Sequence, residues 1–218
     1  MHNRSEKLRK LILLAMLAAI AYLIVSYIRI PAVLFLKYEP KDVIITIGGF
    51  LLGPMAAFVI SLVVSLLEMV TISDTGPIGA LMNLLSTCTF ACTASLIYKR
   101  NHKLKGAVLG LLAGSVFMVA AMLLWNWLIT PLYMGVPRQE VQGLLIPAFL
   151  PFNCLKAGLN SALILVLYKP LTSALRTARL LPKAPAASKT SAKPGIYLFG
   201  ALLLATCILL LLVLQGKI

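Results

Sequence analysis

Lys156 lies inside an apolar run, within LPFNCLKAGLNSAL (residues 150–163). Keeping a lysine at membrane depth costs about 2.5–3.5 kcal/mol on insertion scales, so its presence there needs a reason. Asn153 comes three residues before it and Asn160 four after. On a helix that spacing puts all three on one face. An ammonium only donates hydrogen bonds, whereas a carboxamide both donates and accepts. Such a stripe suits the polar wall of a solvent-reachable cavity. The competing reading is a structural network between helices, which must then accept a lysine with no acid on its own helix.

Three further features carry polar groups. Asn126 sits between Trp125 and Trp127, where it can meet interfacial water or a ligand. Glu68, in SLLEMVTISD, can snorkel outward or pair with Lys156. The segment from Phe35 to Asp42 mixes aromatic, aliphatic and acidic side chains. Asp42 precedes VIITIGG and is a candidate N-cap for the next helix, a role compatible with ligand contact.

Other chemistries lack their residues. The sequence has no GxxxxGK[ST], HExxH, GxSxG or GxGxxG, so no phosphate loop for ATP hydrolysis is present. The acids are isolated, which argues against a metal site and a metal-dependent transferase. Cys88, Cys92, Cys154 and Cys207 form no CxxC and are expected to be small buried helix residues. His2 and His102 fall in a tail and a loop. An enzyme of a different class, using Glu68 or Lys156 as acid or base, is the alternative.

The elements that must position these groups are membrane helices. Of 218 residues, 61% are hydrophobic and 12% charged, against roughly 25% charged in a soluble domain. That composition excludes a soluble enzyme, a disordered tail and a disulfide-stapled domain. The net charge of +14 resides in basic clusters between apolar runs. This is the pattern of topology-setting loops rather than of a nucleic-acid surface. Candidate spans are Leu11–Ile28, Val43–Val70, Pro77–Tyr98, Gly106–Trp127, Leu144–Tyr168 and Ile196–Leu214. The first is too long for a signal-peptide core and reads as a retained helix.

Val43–Val70 contains Gly53-Pro54 and can be one helix or two. Two helices, with the N-terminus inside, put the basic clusters at residues 4–10, 99–105 and 169–193 on the cytoplasmic side. One helix puts the second and third outside. The positive-inside rule therefore favours a split at Gly53-Pro54. The short second helix must then tilt or begin before Val43. The resulting organisation is a six-helix membrane domain over 1–175, a basic Pro/Ala/Ser linker over 176–195 and an additional helix over 196–218, read as a lipid-facing anchor. Ala15 and Ala19, with Ala18 beside them, and Gly106, Gly110 and Gly114 are spaced for close helix approach. The glycines are expected to pack inside the bundle. The alanines can face the bundle or a partner protein.

Four stretches carry a resemblance: FLKYEPKDVIITIGGFLLGP from Phe35, TISDTGPIGALMNLLST from Thr71, WNWLITPLYMGVPRQ from Trp125 and IPAFLPFNCLKAGLNSALILVLYK from Ile146. With LIYKR at 96–100, they resemble the riboflavin-specific substrate-capture (S) subunits of energy-coupling-factor (ECF) vitamin transporters, over residues 8–175. The resemblance implies an all-α membrane bundle, no catalysis and no cofactor. Riboflavin would be the transported ligand, bound from outside a bacterial cell membrane. Partners would be a transmembrane T subunit and two cytoplasmic ATPases that hydrolyse the ATP. Carried over residue by residue, it implies ligand contacts at Leu36, Tyr38, Glu39, Asn126, Asn153 and Lys156, with Asp42 near the ribityl chain. It also implies a T-subunit face at Ala15, Ala18 and Ala19. The family's loop commonly reads LKYDPSD, where this chain has Glu39 and Lys41; a second alternative is therefore an S component of the same architecture whose pocket these substitutions retune for another vitamin or small molecule.

Overall fold

Helix α1 (His2–Tyr27) leads into a small antiparallel hairpin of β1 (Ile30–Val33) and β2 (Leu36–Tyr38). In this computed structural model, residues 2–178, 180 and 194–214 are described. The hairpin stands where the sequence suggested only a loop. Its strands are too short for their alternation to stand out, yet Leu36 and Tyr38 turn inward while Lys37 does not, the period-two pattern of a strand.

The Gly53-Pro54 split is observed. Helix α2 (Lys41–Leu52) ends at Gly53, whose φ of 97° few other residues tolerate, and α3 (Pro54–Thr71) starts on the proline. Helix α2 begins two residues before Val43. Every residue from Lys41 to Phe50 is buried, so this 12-residue helix lies inside the bundle and need not span the bilayer by itself. Its all-round apolar surface is that of a central helix. Asp42 is not its N-cap. Pro40 occupies that position, and the Asp42 carboxylate turns into the core to partners on other helices.

Helices α4 (Gly76–Arg100) and α5 (Leu104–Leu128) pack most extensively. A Cβ on Gly110 or Gly114 would come within 2.6 Å of the Ala94 or Phe90 carbonyl oxygen, respectively. The glycine stripe therefore serves packing within the bundle. Two short helices follow, α6 (Thr130–Met134) and α7 (Arg138–Leu144), then a π-helical turn (Leu145–Phe149) and α8 (Leu150–Thr177). Helix α8 runs past Tyr168 and through Pro170, further than its apolar run indicated. Helix α9 (Pro194–Leu214) packs along α8. Most of the expected 176–195 linker lies outside the described residues. Five helical stretches among the described residues are long and apolar enough to cross a membrane.

On α1, Leu13, Leu17, Ala18, Ala21 and Val25 face the core, while Ala15 and Ala19 are exposed on the opposite side. Ala18 is 8% exposed and so belongs to the inner packing, not to an outer alanine face. Cys88 and Cys92 are half-buried, Cys207 is buried, and Cys154 is exposed rather than buried.

Candidate binding site

A cavity of about 200 Å³ opens at the hairpin end of the bundle. Leu36 and Glu39 reach it from the hairpin, Asn126 from α5, and Asn153 and Lys156 from α8. Its apolar surface comes from Phe35, Met82, Met122, Tyr133 and Phe152.

Two of the three asparagines that line the cavity, Asn126 and Asn153, are held by the same device. Asn126 donates its amide N–H to the Met122 carbonyl, and Asn153 donates to the Phe149 carbonyl, both at 2.7 Å. Each bond returns to the residue four positions earlier and fixes the side chain against its own helix. Thr130 donates its hydroxyl to Asn126 Oδ1 at 2.9 Å. A carboxamide has two N–H donors, so Asn126 keeps one for a ligand. Asn153 Oδ1 can serve as an acceptor. A π-helical turn (Leu145–Phe149) runs directly into α8 here, a feature frequent at functional sites.

Lys156 Nζ lies 3.1 Å from Asp42 Oδ2 and donates to Ser86 Oγ at 3.3 Å. Two of its three N–H groups are thereby engaged. Asp42 also accepts from Thr87 at 2.7 Å and from Asn160 at 3.3 Å. Asn160 Oδ1 accepts from the Tyr38 hydroxyl at 3.1 Å. Tyr38, Asp42 and Asn160 thus stand behind the cavity wall and hold Lys156 in it. Tyr38 and Asp42 are not among the lining residues.

Beside this network is a second one. Lys41, 1% exposed, donates to Glu39 and, at 2.6 Å, to Glu68. Asn83 donates to Glu68 at 3.1 Å. Arg29 Nε lies 3.4 Å from Glu39 Oε1, and its guanidinium donates to the Ile72 carbonyl at 2.6 Å. Glu68 therefore neither snorkels outward nor pairs with Lys156; its partner is Lys41. Around the cavity, Arg29, Lys37, Lys41 and Lys156 are matched by Glu39, Glu68, Asp42 and Asp74. No surplus charge is left, an arrangement suited to an uncharged ligand.

Sequence reasoning did not single out Ser86, Asn83 or Arg29, and marked Lys41 only as a departure from the family's loop. Asn83, Ser86 and Thr87 carried a signal, since their spacing makes a polar stripe on an otherwise apolar helix. Lys41 carried none, because beside a proline in a loop a lysine reads as solvated.

Across the cavity mouth, Lys37 of the hairpin pairs with Asp74 of the α3–α4 loop. Lys37 holds the Asp74 carboxyl below the ordinary aspartate range, so the tie persists into mildly acidic solution and is lost as the pH falls through that lowered value. Both side chains are exposed, so the tie is weak. Asp74→Ala is expected to speed ligand release by about two- to three-fold at low salt, with the difference gone near 1 M salt, where the Debye length is about 3 Å. Stopped-flow release at two salt concentrations checks this.

The family model for "ECF transporter, substrate-specific component" matches residues 9–168. The chain belongs to this family. It is a multi-pass membrane protein and a transporter subunit that works with an energising module, so the enzyme alternative is overturned by kinship. Riboflavin transporter RibU of Staphylococcus aureus is 27% identical over 77% of this S component and 93% of its own length. RibU of Streptococcus thermophilus is 30% identical over 77% and 84%, respectively. Riboflavin transporter FmnP of Bacillus subtilis is 24% identical over 80% and 99%. A solved structure described as the S component of a bacterial ECF transporter superposes with a TM-score of 0.65 at 28% identity, covering 78% of this chain and 99% of that one.

Proposed function

We propose that this S component captures riboflavin at the hairpin end, from outside the cell, and presents it to a T subunit carrying two ATPases. One observation carries the substrate reading. Lys156 and Asn153 share a cavity wall, Asn126 adds a further donor, and apolar side chains complete the chamber. The pyrimidine edge of riboflavin offers carbonyl acceptors and an imide N–H. Lys156 and Asn126 have donors for the carbonyls, and Asn153 Oδ1 is an acceptor for the imide. Met82, Met122 and Phe152 suit the dimethylbenzene ring, while Glu39 and Arg29 suit the ribityl hydroxyls. Leu36 covers the ring from the hairpin. Tyr38 and Asp42 act by holding Lys156.

The cavity is smaller than the roughly 300–1,000 Å³ usual for ligand sites, so the hairpin moves outward to admit the vitamin. The N-terminus is cytoplasmic in this arrangement, as are the ends of α8 and α9 that face each other in sequence, and α9 (Pro194–Leu214) is a further transmembrane helix. Ala15 and Ala19, exposed on α1, form part of the face for the T subunit.

The test is titration of the purified full chain with riboflavin, read by flavin fluorescence. Saturable quenching at one flavin per chain is expected. Asn153→Ala should weaken it about ten-fold, the worth of about one hydrogen bond. No quenching by the unaltered chain would remove the substrate assignment. Unchanged affinity in Asn153→Ala would remove that residue from the site.

A further inference from the structure

Helix α9 was expected to be a lipid-facing anchor, yet one of its faces is engaged inside the protein. A Cβ on Gly158 of α8 would lie 2.8 Å from Cys207 Sγ, and one on Gly200 of α9 would lie 2.9 Å from Val166 Cγ2. The two contacts fix an antiparallel seat, since moving up α9 from Gly200 to Cys207 moves down α8 from Val166 to Gly158. They are seven or eight residues apart, so the seat extends about 10–12 Å. At its far end Cys207 is 5% exposed and clusters with Tyr38 of β2 and with Leu155 and Leu159 of α8. Ile30 and Ala32 of β1 and Leu203 of α9 pack against the same cluster. Helix α9 therefore touches both strands of the hairpin that forms a cavity wall.

From that cluster a bonded path leads to the cavity. The Tyr38 hydroxyl donates to Asn160, Asn160 donates to Asp42, and Asp42 pairs with Lys156. We infer that α9 is a brace for the hairpin, and that its seating against Tyr38 and Gly158 is coupled to occupancy of the cavity. The coupling rests on the riboflavin reading above; the brace itself rests on the packing. Because linkage is reciprocal, an occupied cavity with a closed hairpin must hold α9 more firmly, and an unseated α9 must weaken the ligand.

Cys207 reports on the seat, because burial protects a thiol from alkylation. The experiment uses the full chain with Cys88→Ala, Cys92→Ala and Cys154→Ala, treated with a membrane-permeant maleimide. Riboflavin is expected to slow Cys207 alkylation about five-fold or more. Adding Gly158→Leu, which pushes α9 off α8, should speed alkylation and weaken riboflavin about five- to ten-fold, mainly through faster release. Saturable flavin quenching with an unchanged Cys207 rate overturns the coupling. So does a Gly158→Leu chain with a reactive Cys207 and unaltered riboflavin affinity. If the unaltered chain binds no flavin, the substrate reading fails instead. The brace is then judged without ligand, where Tyr38→Ala must raise the Cys207 rate, and an unchanged rate overturns it.

Discussion

Lys156→Met is expected to weaken riboflavin about a hundred-fold and to lower thermal stability in the same protein. A hydrogen bond from a charged donor contributes about 1.5–3 kcal/mol, or roughly ten- to a hundred-fold in affinity. The stability loss has a different origin. Asp42 is 1% exposed and would lose its cation, and breaking a buried pair costs about 3–5 kcal/mol. The double variant Lys156→Met with Asp42→Asn separates the two effects. It removes the orphaned charge, so the unfolding temperature should largely recover while riboflavin affinity should not. Calorimetry or a thermal-shift assay, run beside a flavin titration, reads both. Recovery of binding together with stability would show that Lys156 acts only through the fold.

The second large effect is expected at Lys41, which does not line the cavity. Lys41→Ala leaves Glu39 and Glu68 facing each other without their shared ammonium. Arg29 remains near Glu39, but Glu68, 2% exposed, keeps only the Asn83 amide. A loss of about 3–5 kcal/mol is again the scale, seen as a lower unfolding temperature. Lys41→Ala with Glu68→Gln should regain most of it, because a neutral amide can stay buried with Asn83 as its partner. If Lys41→Ala alone unfolds at the parental temperature, the buried cluster is not what holds the hairpin, α2 and α3 together.

These two lysines also show what could be read from the sequence. Lys156 was legible because it interrupts an apolar run, and its two asparagines share its helical face. The split at Gly53-Pro54 was legible because basic loops fix which side each helix end occupies. Lys41 looked like a solvated loop residue, and nothing local says that two glutamates 2 and 27 positions away close over it. Asp42 looked like a helix cap because the capping preference is local. The bonds that won it come from α4 and α8, far along the chain. The hairpin escaped notice because two strands of four and three residues leave almost no periodic signal. Burial of one face of α9 depended on two glycines and a cysteine that resemble ordinary membrane-helix composition until α8 is laid beside them. Kinship supplied the family, and the side-chain partners supplied the reasons why particular positions hold.

The buried central helix has an electrical consequence. Below the cavity, Val43, Ile47 and Phe50 of α2 pack with Phe90 of α4 and Met118 of α5, in an apolar column that continues to Tyr98 near the opposite end. A hydrated ion entering the chamber meets this apolar column, which offers it few polar partners. Cells producing this subunit in large excess over its partners should therefore keep their membrane potential, with no conductance traceable to the idle copies.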